Sequence, residues 1–358
     1  MRTRRRRKIN LRKCLATFVF SPLAIWLFYK IVPVLSTAAV FLAGITMPEG
    51  GFAVLSNKVK NNDTDKVCAD TTLDIETQAQ ANEKAVVAPS DIGGATHSGT
   101  IAYKTFKAEG GTSYINLEYG QIRNCTTLSN EEVKLAASLL PEFKVEANGE
   151  PQVLIYHTHA TESFEPYERN YFDSSYPTRT TDITKNMVAV GNAITEELEK
   201  MGIGVVHSET LHDAVSYTGS YDNSAETIKS VLAQYPSIKV VLDLHRDGIE
   251  ANGVRTAPVI NIDGQNAAQI MIISGCDDGT MDMPNCMQNL RLASLLQQQI
   301  ESDYPGLTRA ILFDYRKYNQ DLSTGALLIE VGSQANTTEQ AIYSGHLIGK
   351  SIGKALLK

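Results

Sequence analysis

"VLIYHTHATESF" (residues 153–164) is an unbroken apolar run that closes on two histidines two positions apart, with a glutamate three residues further on. A short apolar run ending in polar groups reads as a buried strand whose end opens onto a cleft. His157, His159 and Glu162 are also residue types that bind a metal ion. Choosing between a metal site and a polar strand mouth depends on what the rest of the chain brings to the same edge.

From Pro151 onward the rhythm repeats. The apolar runs IKVVLDLH, APVINID, AQIMIIS, LTRAILFDY and ALLIEVG alternate with helical stretches at 183–201, 225–234, 285–302 and 337–357. This alternation predicts an α/β domain with a mostly parallel sheet flanked by helices on both faces. In such a sheet chemistry gathers at the carboxyl ends of the strands. IKVVLDLHRD offers His245 there, between Asp243 and Asp247, and ALLIEVG offers Glu330. An ionised Glu330 in a run buried on both faces needs a partner or a metal. Neutral imidazole and carboxylate suit zinc, and a glutamate that is not a ligand can take the proton from an attacking water. His97, His207, His212 and His346 read as ordinary hydrogen-bonded histidines. No G-x-S-x-G elbow and no phosphate-cradling glycine loop is present.

The chain has 358 residues and is 43% hydrophobic, with a formal charge of -7 although residues 2–8 read RTRRRRK. The body is therefore acidic, which argues against nucleic-acid binding. Residues 15–45 are almost wholly apolar, with Lys30 the only charge. That run exceeds the roughly 20 residues of a spanning helix. Basic residues precede it and none follow soon, so a basic head (1–14) would lie inside and the bulk of the chain outside the cytoplasm. A cleavable signal peptide is the alternative, although its apolar region is normally only about 7–15 residues. Residues 46–98 read as a polar stalk, 99–150 as a small ordered lead-in, and 151–358 as the catalytic domain. The cysteine spacings match no zinc pattern.

The basic anchored N-terminus together with IYHTHATESF, LDLHRDG and LLIEVGSQANT closely resembles the stage II sporulation protein P family. That family in turn resembles a distant branch of the zinc-dependent N-acetylmuramoyl-L-alanine amidases. The resemblance implies an amidase-like α/β domain and zinc. It also implies cleavage of the stem peptide from the sugar, and of peptide cross-links, during septal wall remodelling and engulfment. By the same resemblance the partners are stage II sporulation proteins D and M, and the place is the cell membrane with the domain outside.

Carried over residue by residue, the first zinc histidine falls on His159, with His157 as its close neighbour or as the ligand in a shifted alignment. The second falls on His245 in DLHRD, and the catalytic glutamate on Glu330 in IEVGS. The middle ligand falls on Asp182, the first residue of DITKN, ahead of a helix ending LEKMG. An aspartate reaches one methylene less than a glutamate, so Glu162 is the alternate; Asp182 otherwise reads as a helix N-cap. Arg246 would anchor a stem-peptide carboxylate or pair with Asp243 or Asp247. The polar stretch 163–181 fits a loop overhanging the cleft, its aromatics contacting substrate or packing the loop down. A different class of function stays open: a catalytically silent wall-binding or scaffolding module.

Overall fold

The computed structural model describes residues 97–358. The basic head, the transmembrane anchor and nearly all of the stalk expected from the sequence lie outside the described residues. Among the described residues no helix is long and apolar enough to cross a membrane.

Among the described residues the main sheet has eight strands. Taken along the chain these are β2 (Tyr114–Asn116), β3 (Gln121–Asn124), β4 (Pro151–Tyr156), β6 (Gly204–His207), β7 (Val240–Asp247), β11 (Ile270–Gly275), β12 (Ile311–Asp314) and β13 (Ala326–Ser333), in the spatial order β2-β3-β12-β11-β13-β7-β4-β6. A second sheet joins β1 (Gly99–Lys104), β5 (Tyr171–Phe172), β8 (Glu250–Ala251), β9 (Val254–Ile262) and β10 (Gln265–Ala268). Among the described residues five helices accompany them: α1 (Asn130–Ala137), α2 (Met187–Lys200), α3 (Ser220–Gln234), α4 (Cys286–Asp303) and α5 (Thr338–Leu356). Residues 99–150 contribute β1 to the second sheet and β2 and β3 to the main one.

The expected mostly parallel sheet is corrected by this topology. β13 runs parallel to β7 but antiparallel to β11, and β2 is antiparallel to β3. The second sheet is mixed as well, because β9 pairs parallel with β1 and antiparallel with β10. Strands buried on both faces read as apolar runs whichever way they point, so the sequence pattern carries no sign of direction. The β9–β10 hairpin does have a local cause. Asp263 and Gly264 take φ of 51° and 86°, the doubly left-handed turn that an Asp-Gly pair favours between twisted strands.

The two faces of the main sheet are covered unequally. On one face Val153, Ile155, Leu242, Leu244, Ile329 and Val331 pack against α1, α2, α4 and α5 in the main core. On the other face Leu154, Tyr156, Val241 and Ala326 meet α3, through Ile228 and its neighbours, and Leu322 of a short 3-10 turn. Strand residues alternate between faces, so this parity decides where each polar side chain at the strand ends can go. Asp243, His245 and Asp247 share the parity of Val241, and Glu330 that of Leu328; all therefore lie on the thinly covered face.

His157 continues the parity of Val153 and Ile155 and goes the other way, into the helix layer. There its Nε2 meets His207 Nε2 at 2.9 Å, and its Nδ1 lies 3.2 Å from the Leu244 carbonyl. Burial, with His207 beside it, pulls His157 down to about 3, and burial takes His207 to about 4. A neutral histidine pair therefore sits under α2, and Gly191 makes room for it. A Cβ at Gly191 would stand 2.4 Å from His207 Nε2 and 2.9 Å from His157 Cε1. Gly191→Ala is accordingly expected to destabilise the fold by ~1–3 kcal/mol through overpacking, despite the ~1 kcal/mol that alanine gains over glycine in a helix. The urea midpoint reads the outcome, and an unchanged or raised midpoint would show that the pair moves aside freely.

Candidate active site

β4 ends at Tyr156, and the chain then turns, so His159 swings onto the thinly covered face that His157 cannot reach. There it stands edge-on to His245, the ring centroids 5.2 Å apart at 89°. Glu330 is the cross-strand neighbour of His245 in the β13–β7 pairing. Past Glu330 the register slips by a β-bulge, at which Gly332 takes a φ of 66°. Bulges of this kind re-aim side chains beside active sites. Glu162 completes the group: its Oε2 accepts from the backbone N–H of Arg246 at 3.1 Å and lies 3.7 Å from His245 Nδ1.

Each histidine has a buried carboxylate behind it. Asp213 Oδ2 is 3.7 Å from His159 Nδ1, and Ser220 Oγ is 3.3 Å from the same nitrogen. The Ser220 hydroxyl donates to the Tyr217 carbonyl at 2.7 Å, so its oxygen is left to accept from His159 Nδ1–H. That assignment leaves Nε2 as the nitrogen of His159 with a lone pair to offer. Tyr217 lies flat on the His159 ring at 4.1 Å and 6°, while Tyr221 stands edge-on to it and stacks over His245. Asp213 is itself held by Arg179 Nη2 at 2.9 Å and by Thr161 Oγ1 at 2.8 Å. Burial pushes Asp213 up, but His159, Arg179 and Thr161 outweigh it and hold the carboxyl at about 2.

Asp243 Oδ1 is 3.0 Å from His245 Nε2, an ion-pair contact off the N–H line, so that this nitrogen makes no hydrogen bond. Asp243 also accepts from Thr158, backbone and hydroxyl. Burial lowers His245, yet Asp243, Glu162 and Glu330 overcome it and lift the imidazolium to about 10. Glu330 moves the opposite way for a carboxyl. Burial first, then the nearby Asp247 and Glu162, raise it to about 8 against the pull of His245 and Arg309. Its Oε2 is buried without a hydrogen-bond partner. Five acidic side chains, Glu162, Asp213, Asp243, Asp247 and Glu330, crowd two imidazoles here, a field that stabilises a cation.

Two of the expected site residues are placed outside this group. Asp182 stays in its own turn, accepting from Thr184 N and Oγ1 and pairing with Lys185 at 3.3 Å. It does not cap α2 either, since that role belongs to Asn186, whose side chain accepts from Val188 N. The carboxylate beside the histidines is the alternate, Glu162. Arg246, expected at the substrate, is buried; its Nε donates to the Ser163 carbonyl, Nη1 to that of Asp247 and Nη2 to that of Thr178. It ties the 163–181 loop to β7. That loop is packed down by its aromatics, with Phe164, Phe172 and Tyr176 all buried. His212 bonds the His157 carbonyl and Thr227, and His346 pairs with Glu197.

The donor set of His159, His245 and Glu162 fits zinc in kind: two imidazoles and a carboxylate, each imidazole backed by an acid as metal-binding histidines are. The spacing is looser than a closed shell. Among the described residues no three His, Cys, Asp or Glu side chains converge closely enough to hold an ion as they stand.

With this geometry in view, comparison with known proteins decides the family. A family model described as Stage II sporulation protein P matches residues 54–353. The chain belongs to that family. A stage II sporulation protein P of Bacillus subtilis is 30% identical over 199 residues, which are 52% of this chain and 47% of that protein. The chain thus spans about half the length of the curated relative that it matches. Among solved structures, the amidase AmiC2 of Nostoc punctiforme is 12% identical with a TM-score of 0.34, covering 59% of this chain and 97% of that one. The CwlD amidase of Clostridioides difficile, solved with the GerS lipoprotein, is 13% identical with a TM-score of 0.33, covering 57% and 94%. Overlaps this loose settle no chemistry, and what this member of the stage II sporulation protein P family does is argued from its own residues.

Proposed function

We propose that this chain is a membrane-anchored, zinc-dependent peptidoglycan hydrolase of sporulation. It would cleave the amide between N-acetylmuramic acid and the first alanine of the stem peptide, and also peptide cross-links, outside the cytoplasm during septal remodelling and engulfment. Stage II sporulation proteins D and M are its proposed partners. The observation that carries the reading is one strand edge bearing His159, Glu162, His245 and a buried, unpartnered Glu330.

His159, His245 and Glu162 would hold the ion. The chemistry such an ion supplies is polarisation of the scissile carbonyl and a lowered pKa for water. Everything else falls to the protein. Asp213 and Ser220 fix the tautomer of His159, and Tyr217 and Tyr221 fix the planes of both rings. Glu330 takes the proton from the attacking water and returns it to the leaving amine. Its apolar, acid-crowded setting favours holding that proton between the two steps. Digesting purified wall fragments tests the reading. Released stem peptides with intact glycan support amidase action, separated stems still attached to sugar support cross-link cleavage, and unchanged fragments with zinc bound sink it.

The wide spacing of the side chains favours one second reading, a catalytically silent wall-binding module. Metal content separates the two. Glu162→Gln is expected to lower zinc affinity by more than about 100-fold, as loss of a directly binding group should exceed the ~10–100-fold typical of outer partners. Asp182→Asn is expected to leave it unchanged. Competition against a zinc chelator measures both. A wild-type protein that binds no zinc in this assay decides for the silent module.

A further inference from the structure

Cys276 directly follows β11 and Cys286 opens α4. The turn between them folds back on itself: the Asp277 carboxylate accepts from the backbone N–H groups of Gly279, Met281 and Met283, and Gly279 and Asp282 take φ of 90° and 56°. This closure brings the two Sγ atoms to 3.8 Å. Both are free thiols, Cys276 buried and Cys286 half-buried, whereas Cys125 in the same unit is disulfide-bonded. The pair is also chemically unequal. A hydrogen bond from Cys276 draws Cys286 down to about 6, and that contact with burial drives Cys276 up.

We propose that Cys276 and Cys286 are a modification site, a dithiol that closes to a disulfide across the β11–α4 turn. Moving from 3.8 Å to the ~2 Å of an S–S bond takes rotation of the two side chains within a turn that is already closed. The oxidant is a small-molecule or protein disulfide. The Cys286 thiolate attacks one of its sulfurs, forming a mixed disulfide and releasing one thiolate. The Cys276 thiol then gives up its proton and its sulfur attacks that of Cys286, completing the internal bond and releasing the second thiol. Two electrons pass from the dithiol to the external disulfide, which leaves as two thiols. The more exposed, more acidic sulfur is the one that meets the oxidant, and the buried one resolves the adduct.

The bond would stiffen more than its own turn. Cys276 N–H donates to the Asp314 carbonyl at 2.7 Å, Gly275 N–H to Gln320 Oε1 at 2.8 Å, and Lys317 Nζ to the Met281 carbonyl at 2.9 Å. Those contacts join the cysteine turn to residues 314–320. That segment carries Tyr318, left-handed at φ 47°, stacked 5.3 Å from Tyr221 in the wall of the candidate site.

The test uses the full chain purified in detergent, incubated with oxidised glutathione, acid-quenched, alkylated, digested without reductant and read by mass spectrometry. The expected product is a 276–286 cross-linked peptide pair, lighter by two hydrogens, with neither cysteine alkylated. Cys276→Ser should instead accumulate a stable glutathione adduct on Cys286, and Cys286→Ser should leave Cys276 unmodified. Two alkylated thiols in the wild type, or a glutathione adduct that persists on wild-type Cys286, overturn the proposal. The readout is mass alone, so it stands or falls apart from the hydrolase reading.

Discussion

Glu330→Gln is expected to slow release of stem peptides by about 10²–10⁴-fold, the usual contribution of a positioned general base, while folding and zinc content stay as in the wild type. The reasoning begins with shape. Gln replaces Glu atom for atom, so the volume at the carboxyl end of β13 is unchanged. The substituted Oε2 has no hydrogen-bond partner in the fold to lose, and burial, with Asp247 and Glu162 nearby, raises Glu330 to about 8, so the fold does not depend on its charged form, which is the form that acts as base. The neutral amide therefore removes no ion pair on which stability depends. What it removes is the ability to accept a proton from water. Chromatography of digested wall fragments gives the rate, and metal analysis of the same preparation gives zinc per chain. Zinc retained with turnover lost places Glu330 as the base. Zinc lost together with turnover places it among the metal-binding groups, and unchanged turnover moves the base elsewhere.

Much of this edge was legible because strand parity and strand ends obey short-range rules. His245 and Glu330 were found from apolar runs ending in polar residues, and the structure makes them cross-strand neighbours. The histidine pair in HTH was harder. Which one reaches the site depends on where β4 stops, and strand boundaries are the least certain part of a sequence reading. Once the strand is known to end at Tyr156, alternation sends His157 under α2 and the turn delivers His159.

Asp182 lies apart from the histidines for a related reason. It was placed by counting back along a helix, whereas the helix starts at Met187 and an Asx turn absorbs the preceding residues. Glu162 has no periodic pattern to announce it, being fixed by the Arg246 backbone N–H across the turn. Arg246 looked like a substrate group because sequence gives no view of how many carbonyls surround a guanidinium. The direction of β11 against β13 left no trace in composition, and the second sheet is assembled from segments far apart in the chain.

The groups that sequence reading missed altogether are Asp213, Ser220, Tyr217 and Tyr221, all within a stretch that reads as loop and helix start. Asp213 offers the second large expected effect. Its side chain is fully buried against the guanidinium of Arg179, itself 1% exposed. Asp213→Ala should cost about 3–5 kcal/mol of stability, because removing one partner of a buried pair strands the other charge. It should also lower zinc affinity by about 10–100-fold, the usual consequence of losing the carboxylate behind a metal-binding histidine. The first effect could masquerade as the second, so the decisive comparison adds Arg179→Met. That double variant no longer contains the stranded cation, and its urea midpoint should recover most of the loss. Zinc affinity should stay low, because nothing restores the acid beside His159 Nδ1. If affinity recovers with stability, Asp213 serves only to neutralise Arg179; if affinity is untouched in the single variant, His159 is held by Ser220 and Tyr217 alone.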